Sequence, residues 1–433
     1  MSRPLLLTGG HVIDPSRRFD QRADVLIRDG MIAAVEAGVG TPDDAEVRDV
    51  TGTIVAPGLV DVHVHLREPG NEDEETVASG ARAAAAGGFT AVCAMPNTDP
   101  VTDNQAAVGF IVRQSGRAGF ARVYPIGAIS LGQKGERLAE FGEMVAAGAI
   151  AVSDDGRPVV SSHLMRTALE YSRTFGIPVA DHCEDPTLAA GGVMHEGLVA
   201  TRLGLKGIPA AAEEIMVARD CILAELTGGH VHLCHMSTRG SVTVIREAKE
   251  RGIQVTAEVT PHHLTLTDHA CEDFDTNAKM NPPLREAADV AALRGALKEG
   301  VIDCIASDHA PHGYDEKEAA FDDAPFGIVG LETAFAVAHT ELVRGGVLSI
   351  SDLIFRMSTE PARCFRLPGG SLQVGAVADV AVLDPAAQWT VDPAGFYSKS
   401  RNTPFTGRTL TGRAVLTVVG GVIVHDGALP VSR

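Results

Sequence analysis

The sequence predicts an α/β fold, a (β/α)8 TIM-type barrel with a small β-sandwich domain built from both ends of the chain. Two observations carry this prediction. Through the middle of the chain, apolar strand-like runs alternate with helical segments. Short strands with tight turns precede this region, and further strands follow Gly369-Gly370. Repeated βα units of this length are typical of a parallel barrel, which can absorb about 250 residues of a long chain.

Three regions follow from these patterns. Residues 1–55 are expected to form the N-terminal part of the β-sandwich, with a hairpin at Asp29-Gly30. Residues 56–367 are expected to form the barrel, and residues 368–433 the rest of the sandwich. The strand-like runs of the barrel begin at Gly58, Phe89, Ala149, Ile177, His230, Ile253 and Ile302.

Composition excludes several classes of function. The formal charge of −19, with no run of Lys or Arg, disfavours binding to nucleic acid or to a membrane surface. The apolar run at the amino terminus is too short for a signal peptide and no stretch resembles a spanning helix, so a cytoplasmic location is expected. Seven cysteines without Cys-x-x-Cys spacing indicate neither a disulfide framework nor a thiolate zinc site.

The most informative segment places His63 and His65 two residues apart at the end of an apolar run. In a strand, side chains at i and i+2 share a face, so both imidazoles could bind one metal ion. An ordinary half-buried strand histidine is the alternative for either one. Polar residues also follow the other predicted strands, and such positions converge at the carboxyl-terminal mouth of a barrel. These residues are Asn97, Asp154, Asp155, His182, His235, His262, His263 and Asp308.

Strand alternation separates some of these neighbours. In the run from His230 to Met236, His235 lies nearest the mouth and is the preferred ligand. His230 and His232 lie on the other face, where they would pack or support a ligand. His262 and His263 follow a proline and are weaker ligand candidates. Alternation leaves Asp154 and Asp155 unresolved, because the strand ends there.

Eight motifs together resemble the class I dihydroorotases, a cyclic amidase branch of the amidohydrolase superfamily. The likeness runs in order along essentially the whole chain. The motifs are Asp-Val-His-Val-His-Leu-Arg-Glu-Pro-Gly (61–70), Ala-Met-Pro-Asn-Thr (94–98), Val-Ser-Asp-Asp-Gly (152–156), Asp-His-Cys-Glu-Asp (181–185), Cys-His-Met-Ser-Thr (234–238), Thr-Pro-His-His-Leu (260–264), Lys-Met-Asn-Pro-Pro-Leu-Arg (279–285) and Ala-Ser-Asp-His-Ala-Pro-His (306–312). Hydantoinases, dihydropyrimidinases and allantoinases typically bridge their metals with a carbamylated lysine. The corresponding segment of this chain, residues 148–156, contains no lysine.

The resemblance implies a zinc-dependent dihydroorotase, which cyclises N-carbamoyl-L-aspartate reversibly to L-dihydroorotate and water in de novo pyrimidine (UMP) biosynthesis. It implies two zinc ions per subunit, one on His63, His65, Asp155 and Asp308, and a second on Asp155, His182 and His235. Asp308 would also transfer the proton. The implied substrate-binding residues are Arg67, Asn97, Asn281, His312, Phe326 and Gly327. The implied partners are the small-molecule substrate and a second copy in a homodimer, with assembly with aspartate transcarbamoylase left open.

The sequence allows alternative interpretations of Arg67, of the run after His312 and of the function. Arg67 could form a surface ion pair with Glu68 or Glu72 instead of binding a substrate carboxylate. The charged, glycine-flanked run between His312 and Gly330 is interpreted as a substrate-ordered lid, with a solvated loop as the alternative. A different cyclic amidase, a non-catalytic partner of the transcarbamoylase and a metal-binding protein without catalysis are the rival functions.

Overall fold

The computed structural model describes residues 3–427 and 429. Its strands are β1 (Leu5–Thr8), β2 (His11–Asp14), β3 (Phe19–Arg22), β4 (Asp24–Arg28), β5 (Met31–Glu36), β6 (Glu46–Asp49), β7 (Ile54–Pro57), β8 (Leu59–Val64), β9 (Phe89–Ala94), β10 (Arg122–Pro125), β11 (Val152–Ser153), β12 (Val179–Asp181), β13 (Met194–His195), β14 (Gly207–Ile208), β15 (Val231–Leu233), β16 (Val255–Val259), β17 (Cys304–Ile305), β18 (Val380–Thr390), β19 (Thr409–Val419) and β20 (Val422–Asp426).

The α-helices are α1 (Val77–Ala86), α2 (Gln105–Ala118), α3 (Phe141–Ala147), α4 (Ser162–Phe175), α5 (Pro186–Ala189), α6 (Leu198–Leu203), α7 (Ala211–Thr227), α8 (Arg239–Glu250), α9 (Ala287–Glu299), α10 (Tyr314–Lys317), α11 (Ala334–Ala338), α12 (Ile350–Ile354) and α13 (Glu360–Cys364). Turns of π-helix, His339–Val343 and Phe355–Thr359, follow α11 and join α12 to α13. Short 3-10 helices lie at Pro15–Arg17, Leu131–Gln133, Asp268–Cys271, Thr276–Ala278 and Pro393–Gly395.

Eight parallel strands close into a barrel. One run pairs in the order β10-β9-β8 and the other in the order β11-β12-β15-β16-β17. Bridges between Gly127 and Val152 and between Val64 and His309 join the two runs at both edges. Helices follow the strands, as in α1 after β8 and α2 after β9. The predicted α/β barrel is confirmed.

The barrel strands are buried on both faces, which explains their continuous apolar character. All six residues of β8 and all six of β9 are buried. In a parallel sheet covered by helices, neither face meets water. The interior is filled by small side chains, among them Val60, Ala91 and Cys304. The scarcity of aromatic residues therefore suits this core.

Local signals fix where the helices begin and end. At the start of α4 the Ser161 side chain accepts a hydrogen bond from the Leu164 N–H, which satisfies one free donor of the first turn. The helix ends at Gly176, whose φ of 67° lies in the left-handed region that glycine enters without steric cost. Such caps determine where each helix gives way to the loops at the two ends of the barrel.

Two further sheets contain both ends of the chain. One has the order β5-β4-β1-β6, and the other has the order β20-β19-β18-β7-β2-β3. Leu5 and Val25 from the first sheet and Val12 and Leu416 from the second belong to one buried cluster. The two sheets therefore pack face to face as the predicted β-sandwich. The hairpin predicted at Asp29-Gly30 joins the antiparallel strands β4 and β5.

Strand β7 pairs with β18 and β2 and therefore belongs to the sandwich sheet, although the predicted domain boundary after residue 55 falls within this strand. The domain boundaries after residues 55 and 367 stay predictions. Within the described residues, no helix is both long enough and apolar enough to cross a membrane.

Candidate metal centre and substrate cavity

The carboxyl ends of five barrel strands bring six predicted ligand residues together. His63 lies on β8 and His65 follows it directly. The other ligand residues follow β11, β12, β15 and β17, and all six residues are buried. They are His63, His65, Asp155, His182, His235 and Asp308.

Four of these residues form one group of nitrogen and oxygen donors. His63 Nε2 lies 3.5 Å from Asp155 Oδ1 and 3.5 Å from Asp308 Oδ1. His65 Nε2 lies 3.1 Å from Asp308 Oδ1 and 3.5 Å from Asp155 Oδ2. Both imidazoles of the His-x-His pair thus face the same two carboxylates.

Asp155 also faces a second group. Its Oδ1 atom lies 3.3 Å from His235 Nε2 and 3.6 Å from His182 Nδ1, and these two nitrogens are 3.0 Å apart. The carboxylate of Asp155 therefore lies between two sets of imidazoles. The predicted role of Asp155 as a ligand of two metal ions requires such a position.

The chemistry of this cluster fits divalent metal ions. His63 Nε2 is completely buried and has no hydrogen-bond partner among the described residues, a costly state for an imidazole nitrogen unless a ligand occupies it. Burial disfavours the charged form of His63, but the carboxylates of Asp155, Glu258 and Asp308 outweigh it and raise its pKa well above the ordinary value. Imidazole and carboxylate donors without thiolate suit a catalytic zinc site.

Backbone strain coincides with this cluster. His235 and Asp308 adopt φ values of 39° and 48°, and Arg67 adopts 59°. Residues with a side chain rarely enter this left-handed region, which costs energy that the surrounding structure must offset. All three strained residues line one cavity beside the cluster. Strain of this kind is often concentrated at functional sites.

Glu258 is a supporting residue that the sequence analysis missed. His63 Nδ1 lies 2.6 Å from Glu258 Oε1, and His232 Nε2 lies 3.1 Å from Oε2 of the same carboxylate. The His235 N–H also donates to Glu258 Oε1. Burial opposes ionisation of Glu258, but His63 and His232 outweigh it and lower its pKa to about 2. A carboxylate on Nδ1 holds the hydrogen of the neutral His63 ring on that nitrogen, so Nε2 is the atom that faces the cluster.

The two adjacent aspartates point to different places. Asp154 accepts hydrogen bonds from the Ile129 and Ser130 N–H groups and from the Ser130 hydroxyl. It therefore holds a loop after β10, and only Asp155 reaches the imidazoles. His263 is likewise held elsewhere, between Thr260 Oγ1 and the Pro282 carbonyl.

A cavity of about 330 Å³ opens beside the cluster. Five predicted ligands line it, and so does every predicted substrate-binding residue. The lining residues are His65, Arg67, Asn97, Asp155, Gly156, His182, His235, Asn281, Asp308, Ala310, His312, Pro325, Phe326 and Gly327. Only His63 among the predicted site residues is absent from this lining, and its side chain is fully buried behind the others.

The two asparagines of the cavity contact predicted ligands. Asn97 Oδ1 accepts a hydrogen bond from His65 Nδ1 at 2.8 Å, which again leaves Nε2 facing the cluster. Asn281 Nδ2 lies 3.4 Å from His182 Nε2. Asn281 Oδ1 is buried and has no hydrogen-bond partner within the described part of the chain. An N–H group of a ligand in the cavity would satisfy this oxygen.

Arg67 supplies the cation of the cavity. Its Nε atom donates to the Pro311 carbonyl at 3.0 Å and forms an ion pair with Glu74 Oε2 at 3.2 Å. The carboxylate partner is therefore Glu74 rather than Glu68 or Glu72, the two weighed from the sequence. Burial lowers the pKa of Arg67 despite this carboxylate. A guanidinium remains charged at physiological pH even then, so the cavity can accept an anion.

The run between His312 and Gly330 is tied down by two buried lysines. Lys317 Nζ donates to the Thr276 and Pro325 carbonyls, and Lys279 Nζ donates to the Phe321 and Asp322 carbonyls. The segment carries Phe326 and Gly327 to the cavity wall. Movement of this segment as a lid stays a prediction.

Comparison with known proteins agrees with this architecture. The "Dihydro-orotase-like" family profile matches residues 52–241, and the "Amidohydrolase family" profile matches residues 235–425. A dihydroorotase of Anaeromyxobacter dehalogenans is 58% identical over 98% of this chain and 99% of its own length. A dihydroorotase of Pelotomaculum thermopropionicum is 57% identical over 97% and 98%.

Among solved structures, L-hydantoinase from Arthrobacter aurescens superposes with a TM-score of 0.87 at 27% identity, covering 99% of this chain and 97% of its own. Dihydropyrimidinase from Brevibacillus agri gives a TM-score of 0.86 at 24% identity, with coverage of 99% and 96%, and this shows the fold alone. The barrel and its cluster define a cyclic amidohydrolase. Within that class, the chain belongs to the dihydroorotase-like family.

Proposed function

We propose that this chain catalyses the reversible cyclisation of N-carbamoyl-L-aspartate to L-dihydroorotate and water, a step of de novo pyrimidine biosynthesis. One observation carries the proposal. The partly buried guanidinium of Arg67 lines the same cavity as the imidazole and carboxylate cluster. A cyclic amidase for a ring that bears a carboxylate needs such a cation, and one for an uncharged ring does not.

Two zinc ions per subunit are part of this proposal. His63, His65, Asp155 and Asp308 would hold one, and Asp155, His182 and His235 would hold the other. When bound, zinc polarises the amide carbonyl and acidifies a water molecule. The buried, unpartnered Nε2 atom of His63 and the donor set of the cluster support this assignment.

The protein's own groups orient the substrate and move the proton. Arg67 binds the ring carboxylate in a cavity that His312 also lines, while the Asn281 side chain and the backbone at Phe326 and Gly327 position the ring. In ring opening, Asp308 accepts the proton of the attacking water and passes it to the leaving ring nitrogen. Cyclisation runs these transfers in reverse.

The stoichiometry fixes the pH dependence of the equilibrium. Cyclisation converts a carboxylate into a neutral amide and consumes one proton. The ratio of ring to open form therefore rises as pH falls, about tenfold per pH unit where the carboxylate is ionised.

The variant Arg67→Lys tests the role of the guanidinium. A lysine keeps the charge but loses the planar fork that binds a carboxylate through two hydrogen bonds. We expect KM for L-dihydroorotate to rise about tenfold or more, with the zinc content unchanged. Arg166→Lys, on the exposed face of α4, is the matched control. Loss of zinc from Arg67→Lys would make Arg67 a structural residue instead.

The arrangement of subunits completes the proposal. The resemblance to class I dihydroorotases supports a homodimer in the cytoplasm, with assembly with aspartate transcarbamoylase as the alternative. Light scattering of the purified chain, alone and mixed with the transcarbamoylase, distinguishes a dimer from a mixed assembly.

A further inference from the structure

Glu74 lies against Arg67 and His312, two of the predicted substrate-binding residues. Its Oε2 atom is 3.2 Å from Arg67 Nε and 3.5 Å from His312 Nδ1. The Glu74 side chain is only 13% exposed. Its backbone carbonyl accepts a hydrogen bond from Ser400 Oγ, so the residue is held in place by the C-terminal segment. Neither the sequence patterns nor the proposed mechanism gives Glu74 a role.

The hydrogen bonds of His312 define which of its nitrogens carries a proton. His312 Nε2 lies 2.7 Å from the Phe326 carbonyl oxygen, which can only accept, so Nε2 carries the hydrogen. In the neutral imidazole Nδ1 is then a bare acceptor. Nδ1 is buried and has no hydrogen-bond partner among the residues described, and the carboxyl group of Glu74 faces it. Glu74 can donate a hydrogen bond to this nitrogen only when its own carboxyl group is protonated.

The charges around Glu74 come from several elements. Arg67 follows β8. Glu316 lies on α10, and its Oε2 atom is 3.8 Å from His312 Nδ1. Asp73 is the acidic neighbour in sequence. The charge of Lys317, on α10, lowers the pKa of His312 and is not among the charges that shift the pKa of Glu74. Two carboxylates thus oppose ionisation of Glu74, and one guanidinium favours it.

We propose that Glu74 is a specificity-determining residue whose protonation controls the affinity of Arg67 for the carboxylate of the substrate. When Glu74 is ionised, it neutralises Arg67, and an incoming carboxylate meets a second anion on the same guanidinium. When Glu74 is protonated, Arg67 keeps its full charge, and Glu74 donates to His312 Nδ1. Binding of the anionic ring is therefore coupled to uptake of one proton. This inference rests on the proposed function.

The titration of Glu74 falls in the physiological range. Burial, together with Glu316 and Asp73, outweighs Arg67 and raises the pKa of Glu74 to about 7. The protonated form dominates below that pH and the ionised form above it. Affinity for the anionic ring is therefore constant at lower pH and falls as pH rises through about 7. The substrate carboxylate itself stays ionised over this whole range.

Initial rates of L-dihydroorotate ring opening between pH 6 and 9 test this coupling with the zinc-loaded enzyme. In the wild type we expect KM to be flat below pH 7 and to approach a tenfold rise per pH unit well above it, the limit for one coupled proton. Glu74→Gln is permanently neutral and its amide can still donate to His312 Nδ1. We expect its KM to stay at the low-pH value up to pH 9, with kcat close to that of the wild type at each pH.

Glu72→Gln is the matched control, because Glu72 is an acidic neighbour on the same loop that accepts from the Gly70 N–H, and among the described residues the carboxylate paired with Arg67 is Glu74. It should keep the wild-type profile. A wild-type KM that does not change with pH overturns the inference even if Glu74→Gln does not fold. An equal rise of KM in wild type and Glu74→Gln also overturns it. Absence of L-dihydroorotate turnover in the wild type would instead contradict the proposed function.

Discussion

The adjacent residues Asp154 and Asp155 have different hydrogen-bond partners and different surroundings. Asp155 faces four imidazoles, whereas Asp154 turns away to hold Ile129 and Ser130. The charges on the imidazoles, His63 foremost, overcome burial and hold the pKa of Asp155 well below its usual range. Burial raises the pKa of Asp154 to about 6 in spite of the hydrogen bonds from Ser130 and Ile129.

Substituting each aspartate by asparagine should separate metal binding from stability. We expect Asp155→Asn to lose most bound zinc and all measurable activity, because an amide cannot replace a shared carboxylate. Asp154→Asn should retain zinc but lower the free energy of unfolding by about 1–3 kcal/mol, since a buried acceptor is disturbed. Zinc analysis and chemical denaturation measure the two effects. Retention of both zinc ions in Asp155→Asn would contradict the proposed ligand set.

Glu258 should act on the metal through His63. Glu258→Gln removes the charge that holds the His63 ring, and we expect zinc affinity to fall about 10–100-fold. Competition with a coloured chelator measures the change. Asp303→Asn is the control, because Asp303 is a buried carboxylate on another strand end that pairs with Lys249. An equal loss of affinity in both variants would indicate general destabilisation instead.

The residues differ in how far sequence could identify them. His63 and His65 were predictable because strand alternation places both imidazoles on one face and polar residues also follow the other predicted strands. Glu258 was not, because its role depends on the neighbouring strand that carries His232, a contact between residues distant in sequence. Its one local signal is a carboxylate inside the otherwise apolar run of β16. Glu74 is a similar case, since its partner His312 follows β17, which lies beside β8 only because the barrel closes.

At the scale of elements, the C-terminal segment between β18 and β19 completes the cavity. Asn402 Nδ2 donates to the Ala310 and Gly327 carbonyls, and Asn402 Oδ1 accepts from the His312 N–H. One buried side chain therefore joins the loop after β17 to the segment that carries Phe326. Residues 368–433 were predicted to lie in the sandwich, and their contact with the cavity wall could not be predicted because no local pattern marks it.

Asn402→Ala tests whether this contact positions the cavity wall. We expect KM for L-dihydroorotate to rise about tenfold, because two backbone carbonyls and one N–H lose their partner and the loops that they hold relax. Zinc content should not change, since Asn402 touches no predicted ligand. Steady-state kinetics with metal analysis measure both quantities. Asn104→Ala, which removes a cap of α2 on the surface, is the control.

At the scale of the whole molecule, both ends of the chain join in one sheet that packs against the barrel. Strand β18 pairs with β7, directly before the strand that carries His63. Thr417 on β19 donates to the Ala85 carbonyl of α1. The barrel and sandwich were predictable because strand and helix periodicities differ. The closure of the ring and the order of the sandwich strands were not, because both depend on long-range pairing.

Leu416→Ala in the sandwich core tests the coupling of the two parts. Leu416 is fully buried, so we expect the free energy of unfolding to fall by about 2–5 kcal/mol. Because the same C-terminal region supplies Asn402, activity should be lost at the temperature where the sandwich melts. Val422→Ala, at an exposed position of β20, should change stability by less than about 0.5 kcal/mol. Activity that survives melting of the sandwich would contradict the coupling.

Loss of the ring amide, followed with zinc-loaded protein, shows whether this chain is a cyclic amidase for an anionic ring. L-dihydroorotate, dihydrouracil, hydantoin and allantoin are compared, and the assay is repeated with Asp308→Asn. We predict turnover of L-dihydroorotate alone, abolished in the variant. Turnover of an uncharged ring, or full activity in Asp308→Asn, would contradict the roles given to Arg67 and Asp308.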